Sequence, residues 1–220
     1  MASKARQAFD RNVKDVERLL EIHADVGGDA KGRRFGLEVL NKSAIVLITA
    51  VWEAYCEDVA AEGINHLVAH VASGIDLPKE LKKKIAAEIK ADLNELAMWD
   101  LADGGWKTRV QARLAAMTKD RNKKLNTPKS AQIDELFAAA IGLPNVSTSW
   151  HWKRMSVSQA KKKLDDFVSL RGAIAHRGAA ASRVSKAQVT DYLQHITSLV
   201  GKTGGRVNGH VKKATGKTLW

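Results

Sequence analysis

The stretch AIVLITAVWEAYCEDV, residues 44–59, decides the fold class of this chain. It belongs to a longer segment, from Gly36 to about Ala72, that is apolar on nearly every side of a helix. One predicted face carries Leu37, Leu40, Ala44, Leu47 and Val51, and the other carries Ile45, Ile48, Trp52 and Cys56. A helix that is apolar all round is buried in a protein core. The stretch therefore predicts a long central helix.

The rest of the chain shows the same helical periodicity. Its 220 residues include only three prolines, and apolar positions recur every three and four residues. We predict an all-α bundle of about six to seven helices around the long central one. One of them carries Leu81, Ile85, Ile89, Leu93 and Leu96 on one face, and Ser130 is the expected cap of another. The bundle is expected to form a single domain over residues 1–200.

The C-terminal part of the sequence is strongly basic. Ser185 and Gln188 form a capping box for a helix that is predicted to end at Gly201. Residues 177–220 contain one acid, Asp191, against eight lysines and arginines. Since few apolar residues follow Val200, we expect residues 201–220 to form a basic, disordered tail.

Composition restricts the compartment and the partner. The net charge of +12 favours a polyanion, since lysine and arginine gain affinity by releasing condensed counterions. The alternative is that the positive charge only keeps the protein soluble and binds no specific partner.

The charged N-terminus does not resemble a signal peptide, and the longest apolar run is far shorter than the roughly 20 residues that span a bilayer. The lone Cys56 suits a reducing compartment, so we expect a cytoplasmic protein with no membrane contact.

The segment LRGAIAHRG, residues 170–178, contains the main candidate site. A histidine that titrates near neutral pH can transfer the protons of RNA cleavage, and an arginine can grip the scissile phosphate. Arg171 and His176 would fill these roles. On an ideal helix they lie about 140° apart, so they do not share a face. The alternative is a helix C-terminus with the cations it prefers, since Arg18 and His23 repeat the spacing.

Four further groups of residues are weighed against structural roles. Glu53 lies inside the apolar stretch, so its carboxylate must be paired, either at the candidate site or in a buried salt bridge. Glu62, His66 and His70 share a helical face and could bind a metal ion, but an ordinary solvent-facing helix surface is the favoured interpretation. Trp150 and Trp152 could stack on unpaired bases, but a role as core plugs is favoured. Lys153 and Arg154 follow them and are candidate phosphate contacts, as are Arg177 and the tail lysines.

Residues 133–178 resemble the HEPN superfamily, and most closely its RiboL-PSP-HEPN type. The shared pattern is a short helix that ends in a Gly-Leu turn, a Trp-x-Trp loop, a capped helix and then Leu-Arg-x3-Ala-His. Residues 44–59 are similar to an earlier helix of the family, which has an apolar run interrupted by a glutamate and an aromatic residue.

The resemblance implies a helical homodimer that cleaves RNA without a metal or cofactor. Arg171 and His176 would then be the catalytic pair, with Glu53 holding Arg171 or orienting His176. Members of this kind act as toxins or defence effectors, with a cognate antitoxin or inhibitor as a further partner. The sequence departs at Gly172, where active members often have Asn, Asp or His. A silent HEPN module that binds RNA, a nucleotide or a protein is the first alternative, and a DNA-binding regulator that uses the basic tail is the second.

Overall fold

The fold is described from a computed structural model of the chain. It describes residues 3–27, 36–124, 127–177 and 183–220, with no description of the side chains of residues 117–124, 176 and 177. Within these ranges the chain forms seven α-helices and no strand, as the sequence predicts. The helices are α1 (Lys4–Gly27), α2 (Glu38–His70), α3 (Lys79–Lys90), α4 (Gly105–Lys124), α5 (Ser130–Ile141), α6 (Val157–Arg177) and α7 (Lys186–Thr215).

Helix α2 is the centre of the bundle. With 33 residues it is the longest helix described, and it packs against α1, α4, α5, α6 and α7. Because these neighbours approach from several sides, α2 buries apolar residues all round its axis. Those with almost no exposed surface include Trp52, Ile45, Ile48, Ile64 and Leu67. The prediction of a long central helix is confirmed.

Helices α2 and α7 run parallel to each other. Hydrogen bonds join them at positions that rise together along both helices: Thr49 with Tyr192, Tyr55 with Val200, and His66 with Thr215. Helix α1 runs the opposite way along α2, since Glu62 contacts Ala5 near one end of the pair and the ring of Tyr55 contacts Phe9 further along. The bundle is thus organised by α2 and α7.

The predicted end of the last helix is wrong. Helix α7 does not stop at Gly201 but continues to Thr215, so a boundary at residue 200 falls inside it. Residues 201–215 are not a disordered tail, because Thr203, Val207 and Val211 are buried against the bundle. Their burial offsets the low helix propensity of the four glycines in this half of the helix.

The predicted extent of α3 is also wrong. The helix ends at Lys90, and the side chains of Leu93 and Leu96 are exposed rather than packed in the core. The segment that follows is held to α4 instead. Arg109 forms ion pairs with Asp92 at 3.5 Å and with Asp100 at 2.5 Å.

No helix in the part of the chain that the structure describes could span a membrane. None of those helices combines the length and the apolar character that a bilayer crossing needs.

Candidate functional site

Three helices meet at the level of Thr49 in α2. The aromatic ring of Phe167 in α6 stacks on the ring of Tyr192 in α7, with centroids 4.1 Å apart. The hydroxyl of Tyr192 lies 3.0 Å from the hydroxyl of Thr49. Both hydroxyls are buried, so this hydrogen bond satisfies two polar groups that would otherwise lose their water. We call this place the α2–α6–α7 junction.

Arg171 lies at this junction, one helical turn beyond Phe167. It is half-buried, and its positive charge acts on the Tyr192 hydroxyl. Burial raises the pKa of Tyr192, while the hydrogen bond between its hydroxyl and that of Thr49 and the charge of Arg171 oppose that rise. A cation favours the phenolate, so the charge of Arg171 couples electrostatically to the hydroxyl of Tyr192.

Glu53 lies one helical turn after Thr49 on the same side of α2. It is half-buried, whereas the sequence suggested full burial within the apolar stretch. The neighbouring carboxylate that is buried is Glu57, which sequence reasoning did not single out. Burial raises the pKa of the Cys56 thiol, and the charges of Glu57 and Glu53 add to that rise. Glu53 thus lies one turn from Thr49 on α2, while the charge of Arg171 acts on Tyr192 from α6.

His176 and Arg177 occupy the last positions of α6. Their side chains lie outside the described part of the structure, as do residues 178–182. The backbone of α6 is helical through both positions, so His176 is five helical residues beyond Arg171. The angle between them is therefore about 140°, as expected from the sequence.

Gly172 follows Arg171 within α6, and the packing of the described residues does not require it. A Cβ atom added at this position would meet no heavy atom within 4 Å. A larger side chain would therefore fit here in the single chain. The glycine leaves open space directly beside the candidate catalytic arginine.

The two tryptophans of the Trp-x-Trp loop are packed into the bundle. Trp150 is fully buried, donates a hydrogen bond from Nε1 to the hydroxyl of Thr203 at 2.9 Å, and meets Trp52 edge-on. Trp152 is half-buried against the ring of His195. Both side chains thus serve as core plugs, which was the favoured interpretation of the sequence.

Lys153 and Arg154 are exposed in a tight turn just before α6. Arg154 has a left-handed backbone, with φ of 64°. Since α6 begins at Val157, this turn lies about 20 Å along the helix from Arg171. The structure thus places these two candidate RNA contacts at one end of α6 and the Arg171 site at the other.

Glu62, His66 and His70 have structural contacts. The carboxylate of Glu62 accepts a hydrogen bond from the backbone N–H of Ala5 at 2.7 Å and so caps α1. The ring of His66 lies 3.2 Å from the Thr215 hydroxyl and packs against the ring of His70. Within the described ranges, no cluster of three or more histidine, cysteine or acidic side chains is arranged to hold a metal ion.

Sequence reasoning missed the two hydroxyl residues beside Arg171. Thr49 precedes Glu53 by four residues, and that spacing was a usable signal for a shared helical face. Tyr192 carried no such signal, because its position beside Arg171 depends on how α7 packs against α6.

Comparison with known proteins gives one match. The family model for RiboL-PSP-HEPN matches residues 10–205, which is most of the chain and includes the α2–α6–α7 junction. Neither the comparison with curated proteins nor the comparison with solved structures gives a significant match.

Proposed function

Because the chain belongs to the RiboL-PSP-HEPN family, we propose that it is an endoribonuclease whose catalytic pair is Arg171 and His176. The observation that carries the proposal is the position of Arg171 at the α2–α6–α7 junction. The residue is half-buried and its charge acts on the Tyr192 hydroxyl, and the described residues leave open space at the adjacent Gly172. An arginine held in this way can present a fixed pair of N–H donors to a phosphate.

In the proposed reaction Arg171 binds the scissile phosphate and stabilises the charge that grows on it during cleavage. His176 accepts the proton of the attacking hydroxyl or donates a proton to the leaving oxygen. One histidine cannot do both at the same moment. A cleft that combines the motifs of two protomers supplies a base and an acid together, which is why we propose a homodimer as the active form.

Glu53 is proposed as a positioning residue. It lies one turn from Thr49, on the side of α2 that faces the Arg171 region. Its carboxylate would hold Arg171 or orient His176, and so act through the catalytic pair. The competing role is structural only, in which Glu53 fixes how the helices pack.

The decisive experiment compares RNA cleavage by the wild type, Arg171→Ala and His176→Ala in the presence of EDTA, with hairpin and unstructured RNA. We expect the wild type to cleave and each variant to lose at least about a hundredfold in rate, the lower range for loss of a general acid–base group. The matched control is the double change Arg18→Ala, His23→Ala, since this pair has the same spacing on α1, away from α6. Loss of activity in the control as well would contradict the site.

Glu53→Gln belongs in the same assay. For a positioning residue we expect a lower rate and a shifted pH profile at an unchanged melting temperature. Full activity would remove Glu53 from the mechanism, and a lower melting temperature with normal activity would make its role structural.

The alternative is a HEPN module without cleavage activity, and Gly172 is the observation that favours it. Active members often have a polar residue at this position, and here nothing in the packing demands a glycine. If the wild type binds RNA but cleaves none of the substrates, this alternative replaces the enzyme. The action as a toxin or defence effector and the cognate inhibitor are proposed from the family resemblance, and the cytoplasmic location is proposed from the lone Cys56 and the charged N-terminus.

A further inference from the structure

The second half of α7 presents a continuous basic face to solvent. Val207 and Val211 define the buried side of the helix, and the opposite side carries basic residues. Lys202, Arg206 and Lys213 lie within about 40° of one another around the helix axis. Lys212 and Lys217 extend the basic surface at the C-terminal end, and no acidic residue follows Asp191 in the sequence. We call this surface the α7 basic face.

The cations of this face are not neutralised by neighbours. None of the five forms an ion pair with any residue that the structure describes. Elsewhere in the bundle many exposed cations are paired, as Lys162 is with Asp166 and Lys163 with Asp191. Unpaired positive charges concentrated on one helix face create a local potential that attracts a polyanion.

Three glycines expose the backbone within the same face. Gly201, Gly205 and Gly209 follow one another at four-residue steps, and a Cβ atom at any of them would meet nothing within 4 Å. Internal packing thus gives no reason for these residues, which lower helix propensity. Because glycine has no side chain, the helix backbone is accessible beside the cations, and an extended anion can approach it closely there.

We propose that the α7 basic face binds the sugar–phosphate backbone of base-paired RNA. The five cations and three glycines of the face include no aromatic residue on which unpaired bases could stack, and the half-buried Trp220 beyond Lys217 packs against the core. Stacking is how single strands are usually held. It has no apolar side chains to enter a membrane surface and no large anchor for a protein partner. The choice of RNA rests on the proposed function, whereas the preference for a duplex backbone rests on the face itself.

The turn that carries Lys153 and Arg154 follows a loop that is bonded to α7 at the N-terminal end of this face. The loop before it is fixed to α7, since Trp150 bonds to Thr203 and the hydroxyl of Ser149 lies 3.5 Å from the Lys202 carbonyl. Along α7, Lys202 to Lys213 lie about 15 to 30 Å from the level of Tyr192 and the Arg171 site. The face would therefore hold the duplex part of a substrate away from the site of cleavage.

The test is binding of a short labelled RNA duplex by full-length protein carrying His176→Ala, measured by fluorescence anisotropy in EDTA between about 50 and 200 mM salt. Adding Lys202→Gln, Arg206→Gln and Lys213→Gln should weaken binding by roughly tenfold or more. The slope of log affinity against log salt concentration should fall by the amount that corresponds to about two to three lost phosphate contacts. The matched control, Lys79→Gln, Lys84→Gln and Lys90→Gln, removes the same charge from α3. It should bind as the His176→Ala protein does.

Further variants and ligands separate the explanations. Lys202→Arg and Lys213→Arg keep the charge and should keep the affinity. Equal weakening by the α3 and α7 triple variants would mean that net charge alone acts, and the proposal would be overturned. Tighter binding of single-stranded RNA, of duplex DNA or of anionic vesicles than of duplex RNA would overturn the assigned ligand. Binding is measured apart from cleavage. If the wild type cleaves no RNA but the α7 triple variant still binds duplex RNA more weakly, only the proposed ribonuclease activity is rejected.

Discussion

At the scale of single residues, the caps of several helices come from distant carboxylates. The sequence suggested Ser130 as the cap of α5, but Ser130 is the first helical residue. Its backbone N–H and its hydroxyl both donate to the carboxylate of Asp165 in α6, at 2.7 and 3.0 Å. Asp134 binds the N–H and the hydroxyl of Ser147 in the same way. A carboxylate suits a helix N-terminus because free N–H groups and the helix dipole both favour negative charge.

A second residue-scale feature is the buried His195. Its Nε2 lies 3.1 Å from the carbonyl oxygen of Ala160. Burial lowers the pKa of His195 to about 4, with help from the charge of Lys163, while the Ala160 hydrogen bond and Asp191 oppose the change. The folded protein thus keeps this histidine neutral at a pH where the unfolded chain would protonate it.

This difference predicts an acid-sensitive fold. The unfolded chain binds a proton at His195 below about pH 6.5, and the folded chain does so only near pH 4, so stability falls as the pH drops through this window. We expect His195 to account for a loss on the order of 2 to 3 kcal/mol in the free energy of unfolding. Urea denaturation at both ends of the window measures it. His195→Gln should be less sensitive to acid, and an equal slope in this variant would contradict the prediction.

At the scale of secondary structure, α7 shows how tertiary contacts override local propensity. A glycine after a periodic segment is a usual helix stop, and Gly201 follows Val200 in that position. The helix nevertheless continues, because Thr203, Gly204, Val207 and Val211 lie on the side that faces α2 and its neighbours. A Cβ atom at Gly204 would lie 2.7 Å from the Tyr55 hydroxyl, so this glycine permits the close approach of α7 to α2.

The contacts of α7 predict that the chain cannot be shortened at residue 200. A chain that ends at Val200 loses the burial of Thr203, Val207 and Val211 and uncovers the side of α2 near Gly63. We expect it to lose more than about 3 kcal/mol of stability, since each buried aliphatic side chain contributes about 1.5 to 3 kcal/mol. Circular dichroism during urea unfolding measures the loss. A chain that ends at Thr215 keeps the helix and is the control; equal midpoints for the two would refute the expectation.

At the scale of the whole molecule, the bundle separates two basic regions along its length. Arg171 lies at the level of Thr49 and Tyr192, toward the N-terminal ends of α2 and α7. The α7 basic face and the turn of Lys153 and Arg154 lie toward the other end. Such a separation suits a long polyanion, which can be held at one place and cut at another.

The proposed composite cleft predicts a dimer in solution. Light scattering should give twice the chain mass of 24.0 kDa, and the specific activity should fall when the protein is diluted below its dissociation constant. The physical reason is that each protomer supplies one histidine, while cleavage needs an acid and a base. An active monomer whose specific activity does not change with dilution would contradict this prediction.

The sequence by itself determined the helical class, the position of α2 to within about two residues at each end, and the capping box at Ser185. These features depend on periodicity and on side chains a few residues apart, which one segment contains. Only the tertiary structure decided the length of α7, the carboxylate cap of α5 and the position of Tyr192 beside Arg171. Each depends on a surface contributed by a distant part of the chain, and burial there outweighs the local preferences that a sequence pattern displays.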